Sequence, residues 1–241
     1  MTILDSSLAV LIDGDNVSSK IIAGLMAEIA NYGTASVRRI YEDWTSPSLK
    51  GWKSCLLNHS ITPIQQFAYT RGKNATDGAM IIDAMDLLYT GRFSSFCLVS
   101  SGSDFTRLAS RIHEQGVMVY GFGERKTSNA FVAACDKFMY FDRLNVELEE
   151  SKKPSYAAEA TKPHGTPIVV PDRPAKRLID SKARIGIRLA ISGTSHSDNW
   201  ANLADVESYR IMISPDLNAR NYGYERIREE ATGLYEQHLC L

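Results

Sequence analysis

Chemistry in this chain gathers where apolar runs give out. Leu8 to Ile12 is uninterrupted apolar sequence and leads straight into Asp13-Gly14-Asp15-Asn16. Such a run reads as a buried parallel strand, and in open α/β sheets ligands gather beyond the carboxyl ends of the strands. Aspartate is a poor strand former, so carboxylates there suit a site better than a scaffold. Three further polar segments each follow a strand-like run: Arg71-Gly72-Lys73-Asn74-Ala75-Thr76-Asp77, Ser100-Ser101-Gly102-Ser103-Asp104-Phe105 and Gly121-Phe122-Gly123-Glu124-Arg125-Lys126. In a parallel sheet all of them share one edge with Asp13. Asp13, Asp77 and Asp104 could there hold a hard cation, which takes oxygen ligands and keeps several waters. A cation so placed activates water and offsets charge on a phosphoryl oxygen.

Each acid also has a plainer reading. Asp77 and Asp104 open helices, where a carboxylate caps amides and complements the helix dipole. Asp15 suits the turn after the first strand. Asp83 and Asp86 point away from Asp77 at helical spacing and read as solvated or paired. Arg71, Lys73, Arg107, Arg125 and Lys126 lie near the same loops and suit phosphate contacts, although surface cations are common. Gly121-x-Gly123 hints at a nucleotide loop but lacks the third glycine of a dinucleotide fingerprint. Ser100, Ser101 and Ser103 stand outside any G-x-S-x-G context, which argues against a serine hydrolase.

The elements that must position these groups alternate. Strands are expected at Leu8–Ile12, Val37–Tyr41, Ile64–Tyr69, Phe96–Ser100, Val117–Gly121 and Phe138–Phe141. Between them come helices at Ser18–Asn31, Ser48–Asn58, Thr76–Tyr89, Asp104–Gln115 and Ser128–Cys135, the first with Ile21, Ile22, Leu25, Met26 and Ile29 on one face. Repeated βα units with short apolar strands imply an α/β fold, a parallel sheet covered by helices on both faces. After Arg143 the pattern lapses. Residues 144–177 gather prolines (Pro154, Pro163, Pro167, Pro171, Pro174) and clustered charge, and read as a flexible linker. Order returns over residues 178–241, where Ile185, Ile187, Leu189 and Ile191, then Leu203, Val206, Tyr209 and Ile213, suggest a small, mainly helical second domain.

Composition sets outer bounds. The chain has 241 residues, 44% of them hydrophobic, and a formal net charge of −1, so nucleic-acid binding would need a local basic patch. Cys55, Cys97, Cys135 and Cys240 are widely separated and read as reduced, packed thiols, and the scattered histidines argue against a zinc site. No apolar stretch of about 18 residues is present, nor a basic-then-apolar leader, so a cytoplasmic protein without membrane association is expected.

As an ordered set, Leu11-Ile12-Asp13-Gly14-Asp15-Asn16, Lys73-Asn74-Ala75-Thr76-Asp77, Ser100-Ser101-Gly102-Ser103-Asp104-Phe105 and Val119-Tyr120-Gly121-Phe122-Gly123 resemble the NYN domain, of the PIN-like nuclease superfamily. The resemblance spans about residues 8–142 and assigns residues 1–143 to that domain. It implies a Rossmann-like sheet bearing a Mg²⁺- or Mn²⁺-dependent acidic site that cuts RNA. Asp13 matches the family's first-strand aspartate, Asn16 its supporting asparagine and Asp77 the aspartate opening the long helix. The family's last motif pairs two acids as Asp-Ser-Asp-Phe; here the first is Gly102 and Asp104 alone remains. Ligand charge governs cation affinity, so weaker metal binding is expected. Further on, Trp200 to Val206 and Pro215 to Tyr224 are similar to the OST-HTH (LOTUS) domain, a winged-helix module tied to RNA binding or protein docking. That resemblance makes Arg220, Tyr224, Arg226 and Arg228 candidate RNA contacts through stacking and charge.

The leading expectation is therefore a metal-dependent ribonuclease acting on single-stranded RNA, with Asp13, Asp77 and Asp104 holding the cation and Asn16 orienting a ligand or water. The alternative is a weakened or inactive NYN domain that binds RNA or a protein partner, motivated by Gly102. A small-molecule phosphohydrolase is a third reading, disfavoured by the C-terminal resemblance. Homodimerisation stays open.

Overall fold

The computed structural model describes residues 7–45, 52–67, 75–144, 179–195, 201–224, 226 and 228–229. Its first part alternates β1 (Ser7–Asp13), α1 (Ile22–Ile29), β2 (Thr34–Glu42), α2 (Trp52–His59), β3 (Thr62–Gln65), α3 (Ala75–Tyr89), β4 (Ser95–Val99), α4 (Thr106–Glu114), β5 (Met118–Gly123), α5 (Asn129–Ala134) and β6 (Lys137–Tyr140). The six strands form one sheet in the order β3-β2-β1-β4-β5-β6, with every neighbouring pair parallel. The strand order reverses between β1 and β4, which opens a crevice at their carboxyl ends.

Each sheet face carries its own apolar cluster. Leu11, Phe96 and Leu98 pack toward α3 and α4, while Val10, Ile12, Cys97 and Val99 pack toward α1. Central strands covered on both faces must be apolar at successive positions, which is why Leu8–Ile12 is unbroken. Gly91 and Gly116 follow α3 and α4 at φ of 66° and 73°, in the left-handed conformation that closes a helix without a Cβ clash.

Several expected boundaries shift, those of the third and fifth strands with a physical reason. The third strand was expected at Ile64–Tyr69; pairing runs instead over Thr62–Gln65, from Arg39↔Thr62 to Glu42↔Gln65, and Tyr69 lies outside the described residues. This strand is at the sheet edge, where Pro63 is tolerated and apolar content no longer marks the span. The fifth strand runs on to Gly123, so Gly121-x-Gly123 is strand and not nucleotide loop. A Cβ at Gly121 would fall 2.4 Å from the Phe138 ring, and one at Gly123 would fall 2.6 Å from Thr127 Oγ1. Glycine is needed there for close packing.

Beyond β6 the described residues form α6 (Ser181–Thr194), α7 (Leu203–Ile213) and a 3-10 turn at Ala219–Tyr222. No strand is found among them, so the wing of a winged helix has no counterpart in the described residues. Ile179, Ala183, Ile187, Leu217, Ala219, Tyr222 and Tyr224 make a separate small core. This part is fastened to the sheet. The Phe138 N–H donates to the Pro215 carbonyl (3.1 Å), and Asn218 and Asn221 Nδ2 donate to the Phe138 carbonyl at 2.9 and 2.8 Å. The Tyr140 N–H donates to Asn221 Oδ1 at 3.1 Å. An outer strand carries unpaired amides and carbonyls, and here the Pro215–Asn221 segment satisfies them.

Candidate metal centre

Asp13 is the last residue of β1 and is 1% exposed. The parallel register sets Ile12 against Val99, so Asp13 meets Ser100, the first residue past β4. Asp13 Oδ2 accepts from Ser100 Oγ at 2.6 Å and from Asn16 Nδ2 at 2.7 Å. Its Oδ1 is equally buried and has no hydrogen-bond partner among the described residues. Burial raises the Asp13 pKa and the charge of Asp15 adds to this; the bonds from Ser100 and Asn16, and the weaker influence of the Asp15 backbone N–H, oppose it without reversing it. A buried carboxylate oxygen left without a donor is costly, and a hard cation is the ligand that would satisfy it.

The neighbouring acids close around this residue. Gly14 lets the Asp13–Asn16 turn lie flat on the end of β2: a Cβ there would fall 2.8 Å from the Tyr41 carbonyl oxygen and 2.9 Å from Glu42 Oε2. Asp15 Oδ2 accepts from Thr76 Oγ1 at 2.7 Å, which ties the turn to the start of α3. Asp15 is thus more than turn chemistry. Asp77, in the first turn of α3, is pushed up to about 6 by burial and by the charges of Asp13, Asp104 and Asp15. Asp104 lies exposed in the 3-10 turn Ser103–Phe105 that leads into α4. Asp83, on the far side of α3, binds Arg39 and Tyr41.

Glu42 was missed in the sequence. It ends β2, is 7% exposed, and is pushed up to about 7, first by burial, then by the charge of Asp15 and a hydrogen bond to it, and also by Asp13. The available signal was an acid just past the apolar end of the second strand, Ile40-Tyr41-Glu42. Ser100 was noted only as a poor nucleophile. It is instead a positioning group: its Oγ donates to Asp13 and accepts from the Gly102 N–H at 2.9 Å. Among the described residues no three acid, histidine or cysteine side chains already stand in metal-holding geometry. The fit to a hard divalent cation rests on the all-oxygen donor set and on the unpartnered Asp13 Oδ1.

Of the candidate RNA contacts, Arg71 and Lys73 lie outside the described residues. Arg107 is exposed on α4, three residues from Asp104. Arg125 pairs with Asp142 and lies 3.9 Å over the Tyr140 ring, and Lys126 pairs with Glu124 at 2.8 Å. Arg220 is tied to Glu28 at 2.6 Å. Tyr224 is 2% exposed within the small C-terminal core, so its ring presents no face on which a base could stack. Arg226 and Arg228 are exposed. Cys55, Cys97 and Cys135 are free thiols.

A crystal structure of a Vibrio parahaemolyticus protein of unknown function is similar at 17% identity and a TM-score of 0.48, covering 58% of this chain and 95% of that one. No curated protein matches this chain significantly. The family model of the NYN domain matches residues 7–147, more than half of the sequence, and the chain therefore belongs to the NYN domain family.

Proposed function

We propose that this chain is a metal-dependent ribonuclease that hydrolyses phosphodiester bonds of single-stranded RNA. NYN domains are generally nucleases that use divalent metals, and the chain places acids at the crevice where such a fold binds its ligands. The single observation that carries the reading is Asp13, a buried carboxylate oriented by Ser100 and Asn16 with one oxygen left without a donor. Asp13, Asp77 and Asp104 would hold Mg²⁺ or Mn²⁺. A cation held there would supply Lewis acidity to activate a water and offset charge on the phosphoryl oxygen. Asn16 and Ser100 fix the plane of the Asp13 carboxylate, and Thr76 fixes Asp15 beside it. Arg107, three residues beyond Asp104, would contact the RNA backbone, and Arg71 and Lys73, which precede Asp77 in the sequence, would share that role. The OST-HTH resemblance of the C-terminal part supports a role in RNA or protein recruitment, with Arg226 and Arg228 at its surface. Cleavage of a single-stranded RNA oligomer in Mn²⁺ tests the reading. It is expected to vanish in Asp13→Asn and in EDTA, and cleavage that survives both would overturn it.

A second reading, a weakened nuclease that serves chiefly as a binding module, is favoured by Gly102. Its backbone lies at φ −72° and ψ 141°, open to any residue, and an added Cβ would sit 3.3 Å from Ser100 Oγ. The backbone angles do not demand glycine, but the 3.3 Å contact is tight, so an acid fits here only where Ser100 Oγ gives way by a few tenths of an ångström; what glycine removes is the charge. A gain of Mn²⁺-dependent cleavage in Gly102→Asp supports this reading; no gain in an already active parent removes its main support.

A further inference from the structure

We infer that Glu42 is a further ligand of the cation and supplies from the end of β2 the negative charge that Gly102 does not supply from the turn after β4. The inference rests on the reading of Asp13, Asp77 and Asp104 as the metal-holding set.

Register places Glu42 at the site. Asp13 pairs with Tyr41 across the β1–β2 ladder, so Glu42 stands one residue further out, level with the Gly14-Asp15 turn. The side chain lies across that turn and not out into solvent. A Cβ at Gly14 would meet Glu42 Oε2 at 2.9 Å and Glu42 Cβ at 3.0 Å, so both ends of the glutamate rest against Gly14. The Glu42 carboxyl thus lies against the Asp13–Asn16 turn, where the charges of Asp15 and Asp13 act on it. The unpartnered Asp13 Oδ1 is an independent sign that this pocket of acids awaits a cation.

A purely structural glutamate would be expected to find a cationic partner. Other partly buried acids do so: Glu28 pairs with Arg220, Asp83 with Arg39 and Asp216 with Lys182. Among the described residues no lysine or arginine pairs with Glu42. Its neighbours are acids, an arrangement that a divalent cation stabilises and that packing alone does not. Gly14 fits the same picture, because any larger residue would push the glutamate away from Asp15.

The test is Mn²⁺ binding by the full chain, read from the paramagnetic resonance signal of free Mn²⁺ at about pH 8, where carboxylate ligands are ionised. Glu42→Gln keeps the size and hydrogen-bonding reach of the side chain and removes its charge. It is expected to weaken Mn²⁺ affinity by about tenfold or more, and Gly102→Asp in the same chain is expected to restore much of the loss. Glu42→Ala is the second variant and must lose affinity as well, with thermal melting used to show that each is folded. Variants that bind Mn²⁺ within about twofold of the parent, while Asp13→Asn abolishes binding, would overturn the role of Glu42 and leave the metal centre standing. A parent chain that binds no Mn²⁺ would overturn the centre and Glu42 together.

Discussion

Two buried aspartates, Asp13 at the β1–β4 crevice and Asp216 at the β6 edge, were solvated in opposite ways by the same fold. Asp216 is 8% exposed, and burial alone would raise its pKa. It accepts from Lys182 Nζ (2.9 Å), Ser214 Oγ (2.6 Å) and the Tyr140 hydroxyl (2.9 Å), which together hold it below the usual carboxylate value. Asp13 has two donors on one oxygen and none on the other among the described residues, is surrounded by acids, and stays raised. One carboxylate completes a joint between two parts of the chain. The other is kept incomplete by the protein itself. Burial does not separate a scaffold acid from a site acid; the supply of donors does.

Substitution sharpens the contrast. Asp13→Asn is expected to cut RNA cleavage by about a thousandfold or more, because several kcal/mol of charge stabilisation is removed, while melting temperature holds or rises. Asp216→Ala should do the reverse: cleavage per folded molecule is retained, and denaturant unfolding reports a loss of about 2 kcal/mol from the severed Lys182, Ser214 and Tyr140 bonds. A stability loss in Asp13→Asn larger than that in Asp216→Ala would break the comparison. Gly102→Asp is a smaller change. The new side chain occupies the N-cap position before Ser103–Phe105, where aspartate gains only about a few tenths of a kcal/mol over glycine, and the close approach to Ser100 Oγ and the neighbouring acids offset that gain. Mn²⁺-dependent cleavage should rise with little change in unfolding.

The smallest effect is the pH dependence of stability. Asp77 is pushed up to about 6 and Glu42 to about 7, so the folded chain holds protons that the unfolded chain has released. Their contribution is therefore present at low pH and is lost as pH rises through about 6 and about 7. Asp216 works oppositely, since its lowered pKa gives stability above the unfolded value that is lost as pH falls through the folded one. Metal-free protein should thus melt lower at pH 7 to 8 than near pH 5, and Mn²⁺ should recover the loss, as any ligand of the folded state does. Differential scanning calorimetry across that range checks the sign.

Much of the fold was legible because central strands announce themselves. Leu8–Ile12 and Phe96–Val99 are covered on both faces and so are apolar at every position. Edge strands carry a weaker signal, and Thr62–Gln65, with a proline and one half-buried isoleucine, gave little to read. In the site, the sequence pointed to Asp13, Asn16, Asp77 and Asp104 because each follows an apolar run or opens a helix. Glu42 escaped because its nearness to Asp15 depends on strand register, which local pattern does not contain. The segment Pro215-Asp216-Leu217-Asn218-Ala219-Arg220-Asn221 was harder still. The OST-HTH resemblance offered Arg220 in it as an RNA contact, yet Arg220 is held by Glu28, and Asp216, Asn218 and Asn221 are buried at the β6 edge.

The central claim is that the incomplete solvation of Asp13 exists for a divalent cation. A crystal of the chain soaked in Mn²⁺ tests it directly through anomalous scattering. The account predicts a single strong peak within coordination distance of Asp13 Oδ1, bounded by Asp77 and Asp104. Asp13 Oδ1 left without a ligand under saturating Mn²⁺, with no peak among these acids, would contradict it.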